Sequence, residues 1–364
     1  MKIVVFTCST GGGHNACANY IKEEFNRCGV CCDVQNYFDL VGKNASNVAE
    51  KVYLGSTKGN GFAFGSVYKL GELYNKTKIP SPVYGANLFA KGRLIQFLKE
   101  NQYDLAICTH LFPSHTLTAI QKDYPIPFIN VATDYECIPF WRETKPNYFV
   151  IPSSLLMERF EHEGFSSSTL LPFGISISSR FLDQEISNDI QMDGDMILIT
   201  SGSMGFGRLK DVVIQMLKEI PNTYIVVVCG NNQKVFEELS QIDDEKLIVK
   251  GFVHNMNEYM KASTLVLTKP GGVTTTEAAS LRKPFILMQP IPGVEDYNAE
   301  FFTSNRMCLK AKNTEDLIKE TKRLLEDKDL QKELVANQEK YIPDHSAKKL
   351  VDFVMDKMNK SQDE

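Results

Sequence analysis

The sequence predicts an α/β protein made of two halves in series, each with a buried parallel sheet. The chain has 364 residues, which is more than one hydrophobic core usually organises. Its strands are short and rich in valine and isoleucine, and each is followed by a loop and a helix, an order that favours parallel pairing. The same alternation occurs on both sides of segment 172–193, which has no clear period and which we interpret as the connection between the halves.

In the first half, each strand is an apolar run bounded by polar or glycine residues. Such runs are typical of strands that are buried on both faces. The strands predicted there are 2–8, 30–36, 103–109, 127–132 and 148–151, and the helices are 14–28 and 113–123.

The second half repeats this order, and a helical tail follows it. Its predicted strands are 195–200, 223–229, 246–250, 264–268 and 284–288, its helices are 208–220, 233–240, 256–262 and 273–281, and the tail helices are 316–326, 330–340 and 347–358. We therefore predict domains at 1–175 and 176–345 with a cleft between them. The last segment, 346–364, is expected to be a helix that packs back on the first domain.

Composition predicts a folded protein and argues against general nucleic-acid binding. Hydrophobic residues make up 43% of the chain, charged residues 23%, and the formal net charge is -5, whereas a polyanion needs a basic surface. The apolar run at the N-terminus is too short for a signal peptide, and no run approaches the roughly 18 apolar residues that span a bilayer, so we expect a cytoplasmic protein. Cys28 and Cys31 have the spacing of metal ligands, but no second pair or nearby histidine completes four ligands.

Glycine-rich turns occur at three junctions between a predicted strand and the next helix. They are 9–14, with Gly12 and Gly13; 201–207, with Gly202, Ser203, Met204 and Gly205; and 269–277, with Gly272. Glycine lets backbone N–H groups approach a ligand, and a helix N-terminus favours anionic oxygens. The two turns in the second half match neither the Walker pattern nor the dinucleotide fingerprint, so they predict a shared phosphate site of another kind.

Five segments carry a likeness to a known family. They are 11–14 (Gly-Gly-Gly-His), 133–135 (Thr-Asp-Tyr), Trp141, 271–277 and 289–298. In order and spacing, the chain resembles the monogalactosyldiacylglycerol synthases and processive diacylglycerol glucosyltransferases, and more distantly the enzyme that adds N-acetylglucosamine to the lipid-linked peptidoglycan precursor. The resemblance implies the GT-B fold, two Rossmann-like domains facing across a cleft. It also implies an inverting transfer of a hexose from a UDP-sugar to a diacylglycerol hydroxyl.

The resemblance assigns the donor nucleotide to the second half. It implies that Glu277 binds the ribose hydroxyls and that Thr274 and Thr275 hold the diphosphate at a helix start, while 202–205 close over it. Phe252 and Val253 would frame the uracil, and Pro290, Glu295 and Asn298 would lie on the loop that grips the sugar. A carboxylate accepts two hydroxyl protons well. Glu277 has an alternative interpretation as a solvated acid in the first turn of a helix.

The first half should bind the acceptor and supply a base. His14 is the leading candidate, because an imidazole titrates near neutral pH. Many relatives carry an aspartate at the position of Ser9, so Asp134, at the end of a predicted strand, is the alternative base or the partner of His14. The other expected acceptor contacts are Gly12, Gly13, His110, Tyr135 and Trp141, whereas His115 is expected on a helix surface.

No metal cofactor is expected. The sequence has no Asp-x-Asp pair on a loop between strands that would suggest a metal clamp. The departing UDP would then be stabilised by the helix dipole and by backbone N–H groups.

Segment 55–95 is basic and aromatic within an acidic chain. It has six basic residues against one acid, and six aromatic residues. That composition favours contact with an anionic membrane surface, which would place the protein peripherally on the inner face of the cell membrane. The alternative is a set of helices packed on the sheet with a solvated basic face.

Two further functions fit parts of the sequence. A UDP-sugar epimerase of the same architecture would explain a nucleotide site without a lipid acceptor. A nucleotide-sugar sensor without activity is compatible with Ser9. The sequence does not determine which sugar is transferred, or how many.

Overall fold

The computed structural model describes residues 1–9, 12–41, 81–138, 140–182, 190, 192–200, 209–290 and 293–360. The chain forms two compact units. Unit 1 comprises Met1–Ser179, Ile291–Val294 and Pro343–Glu364, and unit 2 comprises Arg180–Pro290 and Glu295–Ile342. Each unit contains a six-stranded sheet in which every pairing is parallel, so each is a doubly wound, Rossmann-like α/β unit.

The sheet of unit 1 has the strand order β2-β1-β3-β4-β5-β6. Its strands are β1 (Lys2–Thr7), β2 (Cys31–Asn36), β3 (Leu105–Cys108), β4 (Phe128–Val131), β5 (Tyr148–Val150) and β6 (Leu170–Leu171). Its helices are α1 (Gly12–Arg27), α2 (Tyr37–Val41), α3 (Pro82–Asn87), α4 (Lys91–Asn101), α5 (Leu111–Ile120) and α6 (Met157–His162), and short 3-10 turns include Leu88–Ala90 and Trp141–Glu143. Apart from Lys2, every residue of β1, β3 and β4 is buried, because helices cover both faces of the sheet.

The sheet of unit 2 has the strand order β12-β11-β10-β7-β8-β9. Its strands are β7 (Met196–Thr200), β8 (Tyr224–Val228), β9 (Leu247–Lys250), β10 (Leu265–Thr268), β11 (Phe285–Leu287) and β12 (Leu309–Lys310). The helices are α7 (Leu209–Glu219), α8 (Gln233–Ser240), α9 (Met256–Ala262), α10 (Gly272–Ser280), α11 (Val294–Ser304), α12 (Thr314–Glu326) and α13 (Lys328–Tyr341). One hydrophobic core extends from α7 across the sheet to α12 and α13.

Each sheet has one place where the winding direction reverses. In unit 1 this switch point lies between β1 and β3, where Phe6 pairs with Cys108. In unit 2 it lies between β7 and β10, where Thr200 pairs with Thr268. At such a point, the connections from two neighbouring strands run to opposite faces of the sheet, and a crevice opens between them at the carboxyl edge. Open α/β sheets bind their ligands in this crevice.

The last helix, α14 (Ser346–Lys360), packs in unit 1 against α1. Its first residue is buried, and the Ser346 hydroxyl donates to the carbonyl of Ile175 at 2.7 Å and accepts from the N–H of Ile177 at 3.2 Å. The ring of Phe353 packs edge-on against that of Tyr148, with the centroids 4.8 Å apart. Gly174 has φ +95°, and a side chain there would lie 3.3 Å from Ser346, so glycine permits this close approach.

Most sequence-predicted elements coincide with observed ones to within a few residues. The two-residue strands β6 and β12 were not predicted, because runs so short carry no period of their own. Helices α3 and α4 were also missed, since they lie in and beside the basic, glycine-containing segment that we treated as one surface. No helix within the described ranges is both long and apolar enough to cross a bilayer.

Candidate active site

Three loops meet at the carboxyl edge of the unit 1 sheet. They follow β1, β3 and β4 and carry His14, His110 and Asp134 respectively. His14 lies in the first turn of α1, at the switch point, and His110 is the N-cap of α5. Parallel pairing therefore brings together residues that are about 100 positions apart in the sequence.

A backbone carbonyl fixes the orientation of the His14 ring. Its Nδ1 lies 2.8 Å from the carbonyl oxygen of Thr109, and a carbonyl can only accept a hydrogen bond. In the neutral imidazole the proton must therefore be on Nδ1, which leaves the Nε2 lone pair able to take a proton. The Thr109 hydroxyl also donates to the carbonyl of His14 at 3.2 Å, so this residue is held through both its ring and its backbone.

Thr133 connects His14 to Asp134. Its hydroxyl oxygen lies 3.0 Å from His14 Nδ1, and it donates to Asp134 Oδ2 at 3.4 Å. Asp134 is therefore linked to the back of the imidazole ring through a hydroxyl. This arrangement fits the interpretation of Asp134 as the partner of His14 better than its interpretation as the base, because the carboxylate would stabilise the ring once it becomes charged.

Burial lowers the pKa of His14 below its usual value, while the negative charge of Asp134 and the hydrogen bond to Thr109 act to raise it. The lowered pKa means that the neutral form predominates at pH 7. A neutral imidazole is the form that can act as a general base.

The two other histidines of this region are buried and neutral. His110 accepts from the N–H of Phe112 at 3.2 Å, its ring centroid is 4.7 Å from that of His14, and burial lowers its pKa well below the usual value. His115 was expected on a helix surface, and this was wrong: it is 0% exposed. Its Nε2 lies 3.0 Å from the carbonyl oxygen of Phe140, and its Nδ1 lies 3.4 Å from the Asn87 side-chain nitrogen. Burial lowers its pKa as well.

The remaining acceptor candidates differ in their exposure. Gly12 is exposed and Gly13 is half-buried, so both can be approached. Trp141 is only 4% exposed and packs edge-on against Phe149 in a hydrophobic cluster, and Tyr135 is equally buried. These placements argue against direct acceptor contact by Trp141 and Tyr135, because their apolar surface is already covered by the core.

In unit 2, helix α10 begins at the switch point, directly after β10. Gly271 is its N-cap, with no side-chain capping bond. The N–H of Thr275 donates to the carbonyl of Gly271, whereas the N–H groups of the preceding helical residues have no acceptor within the helix. This end of α10 therefore presents backbone donors and the positive end of a helix dipole.

The two threonines expected to hold a diphosphate have different surroundings. Thr274 is half-buried and lies in the first turn, so it can reach a ligand at the helix end. Thr275 is 0% exposed, and its hydroxyl donates to the carbonyls of Gly271 and Gly272 at 2.9 and 3.0 Å. Its donors are used within the helix, which argues against a direct contact with a diphosphate.

Helix α11 supports the loop that precedes α10. Glu295 forms an ion pair with Lys269 at 2.6 Å, and the Asn298 side-chain amide donates to the carbonyl of Pro270 at 3.0 Å. Glu295 and Asn298 were expected on a loop, and this was wrong: both lie on helix α11, from which they hold segment 269–271 in place. Asn298 is 0% exposed, so its described contact is with the loop rather than with solvent.

Four other donor candidates lie after strands of the unit 2 sheet or on α10. Phe252 and Val253 follow β9; Phe252 is 57% exposed and Val253 is half-buried. Glu277 is buried on α10, which contradicts its alternative interpretation as a solvated acid. Pro290 is half-buried after β11. Residues Gly202, Ser203, Met204 and Gly205 lie outside the described residues.

Within the described ranges, no three His, Cys, Asp or Glu side chains gather so as to hold a metal ion. Cys28 and Cys31 are both exposed, and the other seven cysteines are buried.

The described part of segment 55–95 begins at Ser81, whose hydroxyl donates to Glu143 at 2.5 Å. Phe89 is 89% exposed on the 3-10 turn after α3, next to Leu88, which is 39% exposed. Lys91 is paired with Asp123 at 3.2 Å, and Arg93 donates to the carbonyl of Val41. The other basic and aromatic residues of the segment, apart from Tyr84, lie outside the described ranges.

Sequence reasoning missed three residues of these sites. Thr109 contributes a backbone carbonyl, which no side-chain pattern reveals, and Thr133 was quoted only as part of a segment. Lys269 precedes Pro270 and the two glycines. A lysine directly before a glycine-rich turn was a signal that could have found it.

Comparison with known proteins shows which family models and relatives this chain matches. The family model described as monogalactosyldiacylglycerol (MGDG) synthase matches residues 14–177, and the model described as glycosyltransferase family 28 C-terminal domain matches residues 196–351. The processive diacylglycerol beta-glucosyltransferase of Bacillus cytotoxicus is 29% identical over 342 residues, which cover 90% of this chain and 86% of the relative.

Solved structures show the fold. The spinosyn rhamnosyltransferase SpnG aligns with a TM-score of 0.66 at 11% identity, covering 98% of this chain and 100% of that one. The UDP-GlcNAc 2-epimerase of Neisseria meningitidis, bound to UDP-GlcNAc, aligns with a TM-score of 0.62 at 16% identity, again covering 98% and 100%. A glycosyltransferase and an epimerase thus share this GT-B fold, and the fold does not distinguish between them.

The family models do distinguish between them, because both describe glycosyltransferases and they follow one another along the chain, the first within unit 1 and the second over most of unit 2. The protein is therefore a glycosyltransferase that carries a monogalactosyldiacylglycerol synthase domain over residues 14–177 and a glycosyltransferase family 28 C-terminal domain over residues 196–351.

Proposed function

We propose that this protein is an inverting glycosyltransferase that moves a hexose from a UDP-sugar to the hydroxyl of diacylglycerol. The observation that carries the proposal is the hydrogen bond from His14 Nδ1 to the carbonyl of Thr109. It leaves Nε2 as a proton acceptor at the switch point of unit 1, which is where a ligand is expected. The names of the relatives support diacylglycerol as the acceptor.

The proposed reaction is a single displacement. His14 Nε2 accepts the proton of the lipid hydroxyl, whose oxygen attacks the anomeric carbon of the donor sugar. The bond from that carbon to the diphosphate oxygen breaks, the electron pair leaves with UDP, and the configuration at the carbon inverts. Asp134 stabilises the imidazolium through Thr133.

Unit 2 is proposed to bind the donor. The N-terminus of α10, with Thr274, would bind the diphosphate, Glu277 the ribose, and Phe252 with Val253 the uracil. The first N–H groups of α10, which have no acceptor within the helix, and the helix dipole suit an anion that gains charge as it leaves. We propose that no divalent metal ion takes part.

We propose that the protein works at the inner face of the cell membrane, associated with it peripherally through segment 55–95. Phe89 supports this, because a nearly fully exposed phenylalanine beside an exposed leucine gives an apolar tip of the kind that enters a lipid interface.

A donor panel tests the function directly. The purified protein is incubated with labelled UDP-glucose, UDP-galactose or UDP-N-acetylglucosamine, with and without diacylglycerol, and the products are read by mass spectrometry. We expect a glycosyldiacylglycerol and UDP only when the lipid is present, with the same rate in EDTA. Sugar isomerisation without lipid would support an epimerase, and loss of activity in EDTA that magnesium restores would overturn metal-independent transfer.

Replacing His14 tests the base. His14→Ala should lower kcat by about 100-fold or more, since a general base contributes roughly 10²–10⁴-fold, while the affinity for UDP stays unchanged. The matched control is His162→Ala, whose imidazole is 87% exposed on α6 and which should leave kcat unaffected. A His14→Ala enzyme of near-wild-type rate would remove His14 from the mechanism.

The pH dependence tests the link between His14 and Asp134. Because only neutral His14 can accept a proton and burial lowers its pKa, kcat/KM should be constant near pH 7 and fall only on acidification below the usual imidazole range. The Asp134 carboxylate raises the pKa of His14. Asp134→Asn should therefore move the acid limb of the kcat/KM profile to still lower pH. A limb that stays in place, or moves upward, would contradict the coupling.

Vesicle sedimentation tests the membrane contact. Phe89→Ser should reduce binding to vesicles that contain phosphatidylglycerol, and it should leave the free energy of unfolding unchanged because this side chain packs little in the fold. Leu155→Ser, at a residue 48% exposed elsewhere on unit 1, is the matched control. Equal sedimentation of both variants and the wild type would exclude Phe89 from the membrane contact.

A further inference from the structure

Lys269 lies in the loop between β10 and α10, where it forms an ion pair with little solvent around it. Its Nζ donates to Glu295 Oε1 at 2.6 Å, and the two side chains are only 18% and 10% exposed. Removing two charges from water costs free energy that their mutual attraction offsets only in part. An ion pair with so little solvent around it therefore does not by itself indicate that Lys269 is there to stabilise the fold.

The ammonium group lies at the N-terminal end of α10. Gly271, the N-cap of this nine-residue helix, is so close that a Cβ placed on it would lie 4.0 Å from Lys269 Cε. The cation is therefore near the backbone N–H groups that lack acceptors within the helix. Three sources of positive potential meet there: the ammonium group, the N–H groups and the helix dipole.

The backbone that carries Lys269 is held firmly. Asn298 donates to the carbonyl of Pro270 at 3.0 Å, and the N–H of Gly271 donates to the carbonyl of Lys269 at 2.8 Å. An ammonium group has three N–H donors, and among the described residues Glu295 is the one side chain that accepts from it. Two donors of a fixed cation are thus available for a ligand.

We propose that Lys269 binds the diphosphate of the sugar nucleotide and neutralises the charge that develops on the departing UDP, with Glu295 holding the ammonium group in place before the donor arrives. The proposal rests on the donor site described under the proposed function. A lysine in this position supplies the positive charge that a divalent cation would otherwise supply. In the absence of donor, Glu295 balances that charge.

Calorimetric titration with UDP and with uridine separates this role from a structural one. Uridine shares the base and ribose with UDP but lacks the phosphates. Lys269→Met should weaken UDP binding by about 10- to 100-fold, the range of a hydrogen bond to a charged group, and leave uridine binding within about twofold. Lys269→Arg keeps the charge and should retain most of the affinity for UDP.

Glu295→Gln is the matched variant on the other side of the ion pair. It removes the counter-charge of the ammonium group and also the contact that holds it, and these two effects on UDP binding oppose one another, so Glu295→Gln should change the affinity for UDP much less than Lys269→Met does. If Lys269 only braces the loop, Lys269→Met and Glu295→Gln should weaken UDP and uridine to the same extent, and that result would overturn the proposal. Should Lys269→Met fail to fold, Lys269→Gln, which lacks the charge but keeps polar donors, takes its place.

The wild-type titration distinguishes a failure of the proposed donor site from a failure of the proposed role of Lys269. A wild type that binds neither UDP nor uridine would contradict the proposed donor site itself. A wild type that binds UDP, together with a folded Lys269→Met variant of equal UDP affinity, would overturn the role of Lys269 and leave the proposed function intact.

Discussion

Parallel pairing of buried strands is the constraint on which both candidate sites depend. In a parallel sheet all carboxyl ends lie at one edge, so the loops that leave neighbouring strands meet there whatever their distance in sequence. Pairing of Phe6 with Cys108 brings the loops of His14 and His110 together, and pairing of Thr200 with Thr268 sets α10 at the corresponding point of unit 2. The sites are positioned by the cores beneath them, where large apolar side chains leave the strands little freedom to slip.

Hydrogen bonds give the histidines of unit 1 different chemistry. His14 and His115 are both lowered in pKa by burial, so both are neutral near pH 7. Hydrogen bonds then decide what each can do. His115 has described partners near both ring nitrogens, Phe140 and Asn87, and so it acts as a structural link. In His14, the described partners all lie on the Nδ1 side, which leaves the opposite nitrogen for chemistry.

Neighbouring residues hold the candidate catalytic and binding groups of both units in place through hydrogen bonds. Thr109 and Thr133 set the orientation and charge environment of His14, and Glu295 and Asn298 from α11 hold the loop before α10. Such supporting contacts keep catalytic and binding groups within the narrow geometry that a reaction needs.

The sequence by itself determined the alternation of strands and helices, the two α/β halves, the glycine-rich turns at strand ends, and the segments that resemble the family. These follow from local patterns, since apolar periodicity and turn chemistry are properties of neighbouring residues. Only the tertiary structure decided that Trp141 and His115 lie in the core, that the Thr275 hydroxyl bonds within its own helix, and that Lys269 pairs with Glu295. Those outcomes depend on which distant side chains cover a residue and which acceptors surround it, and no local pattern encodes contacts between segments that meet only after folding.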